Sequence, residues 1–200
     1  MGQSESSIPS HASDEYGNNT LGYRVLGVQP SSPAAKAGLV SFFDFLVGCD
    51  GEMLIGNDDE EDMDLIAALK GSIDKPLDLL VFNIKSQSTR IFTITPSNNW
   101  PGHGLLGVTI RLDSYSGAED RLVRVLSTLP SSPAENAGLL PLTDYLLGTR
   151  TASFSSDELL SATLYENRDS VVEVYVYNTE SDVVRVVSLR PSAEWEGSGG

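Results

Sequence analysis

Apolar and β-branched residues come in short runs along this chain, each closed off by Pro, Ser or Gly, and the pattern of runs occurs twice. Tyr23–Val28 and Leu122–Leu126 read as strands. A Ser-Pro step follows each: Ser32 and Ser132 stand as N-caps before Pro33 and Pro133, and Gly38 or Gly138 closes a very short helix. Phe45–Cys49 and Tyr145–Thr149 form the next strand. A longer helix is predicted over residues 61–70 in the first half and 156–167 in the second, the latter opened by a Ser155/Glu158 capping box. Two β-rich runs complete each unit, 77–84 with 90–95 and 171–178 with 183–189.

The two patterns are copies of one unit. PSSPAAKAGLVSFFDFLVG from Pro30 and PSSPAENAGLLPLTDYLLG from Pro130 align at a constant shift of 100 residues. Residues 79–102 and 174–197 align without gaps at a shift of 95, pairing Asn83 with Asn178, Arg90 with Arg185, Pro96 with Pro191 and Trp100 with Trp195. A five-residue deletion near the acidic run at 58–62 separates the two registers.

Gly102, Gly104 and Gly107 in WPGHGLLGVTIR carry the G-x-G-x-x-G spacing of a dinucleotide-binding turn. That motif needs a helix opening at the glycines, because the helix amino terminus holds the pyrophosphate. Here Leu105–Arg111 follows with strand character, so the dinucleotide reading is dropped.

Composition narrows the functional class. A formal net charge of −15, with no basic patch, argues against DNA and RNA as partners. One cysteine, Cys49, forms no internal disulfide, and the chain shows neither a signal peptide nor an apolar run long enough to span a bilayer, so a cytosolic setting is expected. Met1-Gly2-Gln3-Ser4-Glu5-Ser6 fits the amino-terminal myristoylation pattern; it reads equally as a start Met before a Ser-rich tail, and residues 1–19 look like a tether either way. NDDEEDMD at 57–64 lacks the glycine and final glutamate of a calcium loop, and acids are expected before a helix, so no metal and no cofactor is predicted. His11 and His103 lack a nucleophile in a recognisable motif, and Cys49 lies in an apolar strand where packing explains it. No enzyme is expected.

FDFLVGCDG, one longer helix and a strand entered through GLLGV resemble a PDZ domain, with the glycine loop at the end of the unit as in the circularly permuted arrangement. The tandem repeat, SPAAKAGL, SPAENAGL, TPSNNWPGHGLLGVTIR, VYVYNTE and the myristoylation start are together similar to the GRASP domain of Golgi reassembly and stacking proteins, over roughly residues 1–197. The resemblance implies a β-rich α+β fold of two tandem PDZ-like, partly open barrels with permuted strand order. The expected boundaries are a tail at 1–19, a first domain at 20–111 and a second at 112–200. WEGSGG ends where the first copy continues with LLGVTIR, so the second domain is expected to lack its last strand and the chain to lack the family's Ser/Pro-rich regulatory tail.

The resemblance further implies a peripheral protein on the cytosolic face of Golgi membranes, held by myristate on Gly2. Such a protein binds carboxy-terminal peptides of golgin-type coiled-coil proteins, self-associates through the first domain to link cisternae, and in some members acts in unconventional secretion. PDZ loops offer backbone N–H groups to a peptide carboxylate while the following strand pairs with the peptide. Leu105, Leu106, Gly107, Val108 and Ile110 are therefore the expected loop and strand, with Leu65, Ala68 and Leu69 on the facing helix; some of these apolar side chains must fill the core instead. The alternative is a soluble PDZ-type peptide adaptor without a stacking role, which needs neither lipid nor self-association.

Overall fold

A computed structural model of the chain describes residues 20–56, 62–119 and 122–195. The chain divides into two compact units, one of Met1–Leu39 with Phe43–Gly117 and the other of Val40–Phe42 with Ala118–Gly200. Among the described residues no helix is long and apolar enough to cross a membrane.

The first unit runs β1 (Leu21–Val28), α1 (Pro33–Ala37), β2 (Asp44–Cys49), β3 (Glu52–Met53), α2 (Leu65–Gly71), β4 (Leu77–Asn83), β5 (Ser88–Ile94) and β6 (Val108–Ser114). Its strands form one antiparallel sheet in the order β5-β4-β2-β1-β6, with β3 paired to β2. β6, last in sequence, lies beside β1, the first, which is the permuted arrangement expected. The second unit runs β7 (Val123–Arg124), α3 (Pro133–Asn136), β8 (Asp144–Gly148), α4 (Asp157–Glu166), β9 (Val172–Asn178) and β10 (Val183–Leu189), in a sheet ordered β10-β9-β8-β7. Both sheets are open. The β-rich α+β class read from the sequence holds.

The repeat is visible in burial as well as order. β4 and β9 share one alternation, with Leu77, Leu79 and Val81 matched by Val172, Val174 and Val176 on the buried face. These residues join Val25, Leu46 and Ile94 in the first core and Val125, Leu146 and Leu189 in the second. The alternation also puts a polar residue inside each unit, Asn83 and Asn178. Each is met there by an equivalent buried carboxylate, Asp44 or Asp144.

Three local expectations shift. The strand expected at Leu122–Leu126 is only Val123–Arg124. Val125 N–H still donates to Asp144 O at 2.9 Å, but among the described residues no strand flanks β7 as β6 flanks β1. The helix expected from residue 61 begins at Leu65, because the Asp64 carboxylate accepts from Ala67 N–H at 3.0 Å and so starts it. The α4 cap is Ser156, not Ser155: Ser156 has the extended backbone a cap needs and its Oγ accepts from Leu159 N–H at 3.3 Å.

Candidate peptide-binding groove

The short helices come first, because α1 helps hold the glycine loop. Ser32 Oγ accepts from Ala35 N–H at 3.0 Å, and Gly38 ends α1 with φ 87°. The helix's Ala34 N–H donates to Leu106 O at 3.1 Å, while Gln29 N–H donates to Gly107 O at 2.8 Å and Ser97 N–H to Leu105 O at 2.9 Å. Three carbonyls of the loop are thus fixed from the inside. The Leu106 and Gly107 N–H groups have no acceptor among the described residues.

The three glycines wrap Trp100. Its indole N–H donates to Gly104 O at 2.9 Å. A Cβ on Gly102 would collide with the indole ring; one on Gly107, where φ is 72°, would collide with Ser32 Cβ and lie 2.6 Å from the ring. The turn then enters β6, and no helix opens at the glycines.

The structure sorts the sequence-predicted site residues into two groups. Leu65 and Leu106 are core residues, 5% and 3% exposed, so they shape the groove from beneath. Ala68, Leu69, Val108 and Ile110 are partly buried and pack on the same core cluster as Leu65 and Leu106, and Leu105 is half-buried in the loop. β6 is a terminal strand of the sheet, paired to β1 from Val108↔Val28 to Ser114↔Leu21, and among the described residues no strand pairs with its other edge. The result is a free strand edge starting at a loop with unpaired amides. That arrangement can accept an extended peptide and its terminal carboxylate.

The remaining candidates have structural roles or lie outside the described residues. Gly2, His11 and most of the acidic run fall outside; of the run's neighbours, Asp62 accepts from Gly56 N–H at 3.0 Å and Asp64 caps α2. Cys49 is fully buried, and burial, then the charges of Asp50 and Glu52, push its thiol up to about 11. The thiolate a nucleophile requires is therefore disfavoured.

Sequence reasoning matched Asn83 with Asn178 and Arg90 with Arg185 but did not read what they do. In the first unit Asp44 accepts from Asn83 Nδ2 at 2.6 Å and from Arg90 at 3.1 Å. In the second, Asp144 accepts from Asn178 Nδ2 at 2.7 Å and from both terminal nitrogens of Arg185. Each Asn Oδ1 in turn accepts from two amides of the following turn, Lys85 and Ser86 or Glu180 and Ser181. The clasp ties three strands to a hairpin turn. A polar residue at a buried position of the strand alternation was the signal that could have found it.

The sequence model of the GRASP55/65 PDZ-like domain matches this chain twice, over residues 12–107 and 79–200. Golgi reassembly-stacking protein 1 of Mus musculus is 39% identical over 189 residues, covering 94% of this chain and 41% of the mouse protein. The Homo sapiens protein of the same name is 39% identical over 179 residues, covering 89% of this chain and 39% of its own length. A protein of Schizosaccharomyces pombe is 28% identical over 182 residues, 91% of this chain and 50% of the yeast protein. The chain thus spans about two fifths of the mammalian relatives.

Proposed function

Because the chain belongs to the GRASP55/65 PDZ-like domain family, we propose that it is a non-catalytic Golgi scaffold whose first unit binds carboxy-terminal peptides of golgin-type coiled-coil proteins. It works on the cytosolic face of Golgi membranes, held there by a myristoyl group on Gly2, and self-association through the first unit links opposed membranes. A role in unconventional secretion follows from the same anchoring and peptide capture.

One observation carries the peptide reading: the free edge of β6 begins at the Leu106 and Gly107 amides, which have no acceptor among the described residues. A peptide strand adds along Val108–Arg111, its carboxylate accepts from the loop amides, and its side chains face Val108 and Ile110 on one side and Ala68 and Leu69 on the other. Charge-assisted hydrogen bonds from two amides favour a terminal carboxylate over a neutral amide.

Calorimetry with a golgin carboxy-terminal peptide and its carboxamide twin tests this without altering the protein. The expected result is at least a tenfold weaker twin, roughly 1.4 kcal/mol. Leu105→Asp, which brings a like charge to the loop, should weaken the free-carboxylate peptide by a similar factor. Equal affinity of the two peptides would place the carboxylate elsewhere.

A further inference from the structure

Among the described residues no strand pairs with the outer edge of β5, on the side opposite β6, and α1 packs beside that strand. A cavity of about 350 Å³ lies there, between α1 and the end of β5, with Pro33, Lys36 and Trp100 among its walls. Thr93, Ile94 and Thr95 all line it. Thr93 and Ile94 end β5 and Thr95 follows it, so the cavity lies where the outer edge of β5 runs out beside α1.

The second unit has the same cavity. There Pro133, Ala137, Ser192 and Trp195 line a space of about 450 Å³, and they are the repeat counterparts of Pro33, Ala37, Ser97 and Trp100. A feature built twice from matched residues belongs to the design of the unit and is not a chance dent. Its charges differ between copies. The first is lined by Lys36, whose ammonium has no partner among the described residues. The second has Asn136 at that position, Glu194 in place of Asn99 and Arg190 in place of Thr95, while its Asp169 repeats Asp74, which accepts from Ser97 Oγ at 2.9 Å in the first.

We propose that the first unit carries a second peptide site on this edge, for an extended acidic segment of a partner protein. The segment lies along the free edge of β5, sets an apolar or proline side chain against Pro33 and Trp100, and presents a carboxylate to Lys36. Strand addition supplies main-chain hydrogen bonds. The indole N–H of Trp100 is already held by Gly104 O, so the ring offers only its surface, which suits packing against an apolar or proline side chain. Lys36 sets the sign of the ligand, and the second copy has the neutral Asn136 in its place and the carboxylate of Glu194 where the first has Asn99. β5 and β6 are opposite edges of one sheet, but the cavity shares the glycine loop with the carboxylate groove, because Trp100 packs on Gly107 and Ser97 N–H donates to Leu105 O.

The probe is an amide-capped octapeptide in which Glu alternates with Val around one Pro, titrated into the whole ¹⁵N-labelled chain and followed by NMR. It has no terminal carboxylate, so its failure and the failure of the β6 groove are separate results. Expected are shifts largest at Thr93, Thr95, Ser97 and the Trp100 indole, with Thr109, Ile110 and the Trp195 indole unmoved. Lys36 and Thr95 are exposed. Lys36→Glu should therefore fold normally and weaken binding at least tenfold, and a twin peptide with Lys for Glu should not bind. Absence of shifts at millimolar peptide, shifts confined to Leu106–Ile110, or equal binding by the Lys36→Glu variant or the Lys twin overturns the proposal.

Discussion

Asp144 is fully buried, and two opposed effects act on its carboxyl. Burial pushes it up; hydrogen bonds from Arg185, Asn178 and the Leu140 amide, with the Arg185 charge, outweigh this and hold it below the usual carboxylate range. A carboxyl depressed in the folded state stabilises the protein fully above its unfolded value, about 3.9, and loses that contribution as the pH falls through the folded value. Acid titration of the wild type should therefore show a loss of stability beginning below about pH 4, and Asp144→Asn should flatten that limb while lowering stability at neutral pH. Arg185→Ala leaves the buried carboxylate without its cation and should cost about 3 kcal/mol in denaturant melts. At Cys49, burial and a raised thiol predict that iodoacetamide at pH 8 labels the native chain on the order of 100-fold more slowly than the denatured one.

At the level of elements, caps and turns set what the sequence can reveal. The α1 and α3 caps were readable because a Ser-Pro step offers one acceptor and one fixed φ. Ser32→Ala or Ser132→Ala should each cost about 1 kcal/mol in thermal melts. The α4 cap was misplaced by one residue because adjacent serines fit the same pattern and only the backbone chooses between them. β7 fell short of Leu122–Leu126 for a different reason: a strand's length depends on its partners, which a local run does not contain. The Gly107 loop was legible as a turn leading into a strand, but its tie to Trp100 and Ser32 depends on contacts far apart in sequence. Those contacts predict that Gly107→Val lowers stability by about 2 kcal/mol, seen as a lower melting temperature, so lost peptide binding in that variant is not evidence about the groove. The Leu65 and Leu106 assignments show the limit for side chains. Leucine in an amphipathic unit serves core and groove alike, and burial alone separates the two.

For the whole molecule, charge bears on how the proposed membrane attachment would work. One myristoyl chain partitions with a constant on the order of 10⁴ M⁻¹, which gives only reversible binding. The net charge of −15 repels anionic headgroups, so under the proposed function electrostatics supplies no second contribution, and a bound golgin or paired copies presenting two lipids would supply it. In liposome flotation, acylated protein should float weakly on bare vesicles and tightly on vesicles displaying a golgin peptide, and Gly2→Ala should reduce both. Tight flotation of the acylated monomer on bare vesicles would refute the two-contribution view. The duplication itself was legible because two constant shifts survive over long stretches; the clasps and cavities it carries were not, since each joins residues from several strands.

The wrapped indole has a practical outcome for spectroscopy. The chain has two tryptophans, Trp100 and Trp195, at matched positions, so each unit contains one chromophore of its own. Replacing either by phenylalanine leaves a single tryptophan, whose emission, excited to the red of tyrosine absorption, reports on one unit alone. The half-buried ring of Trp100 packs on the glycine loop and its N–H is bonded to Gly104 O, so its emission should move to the red when the loop opens and the ring meets more water. Light from this one side chain follows the loop that leads into β6, without any label being attached.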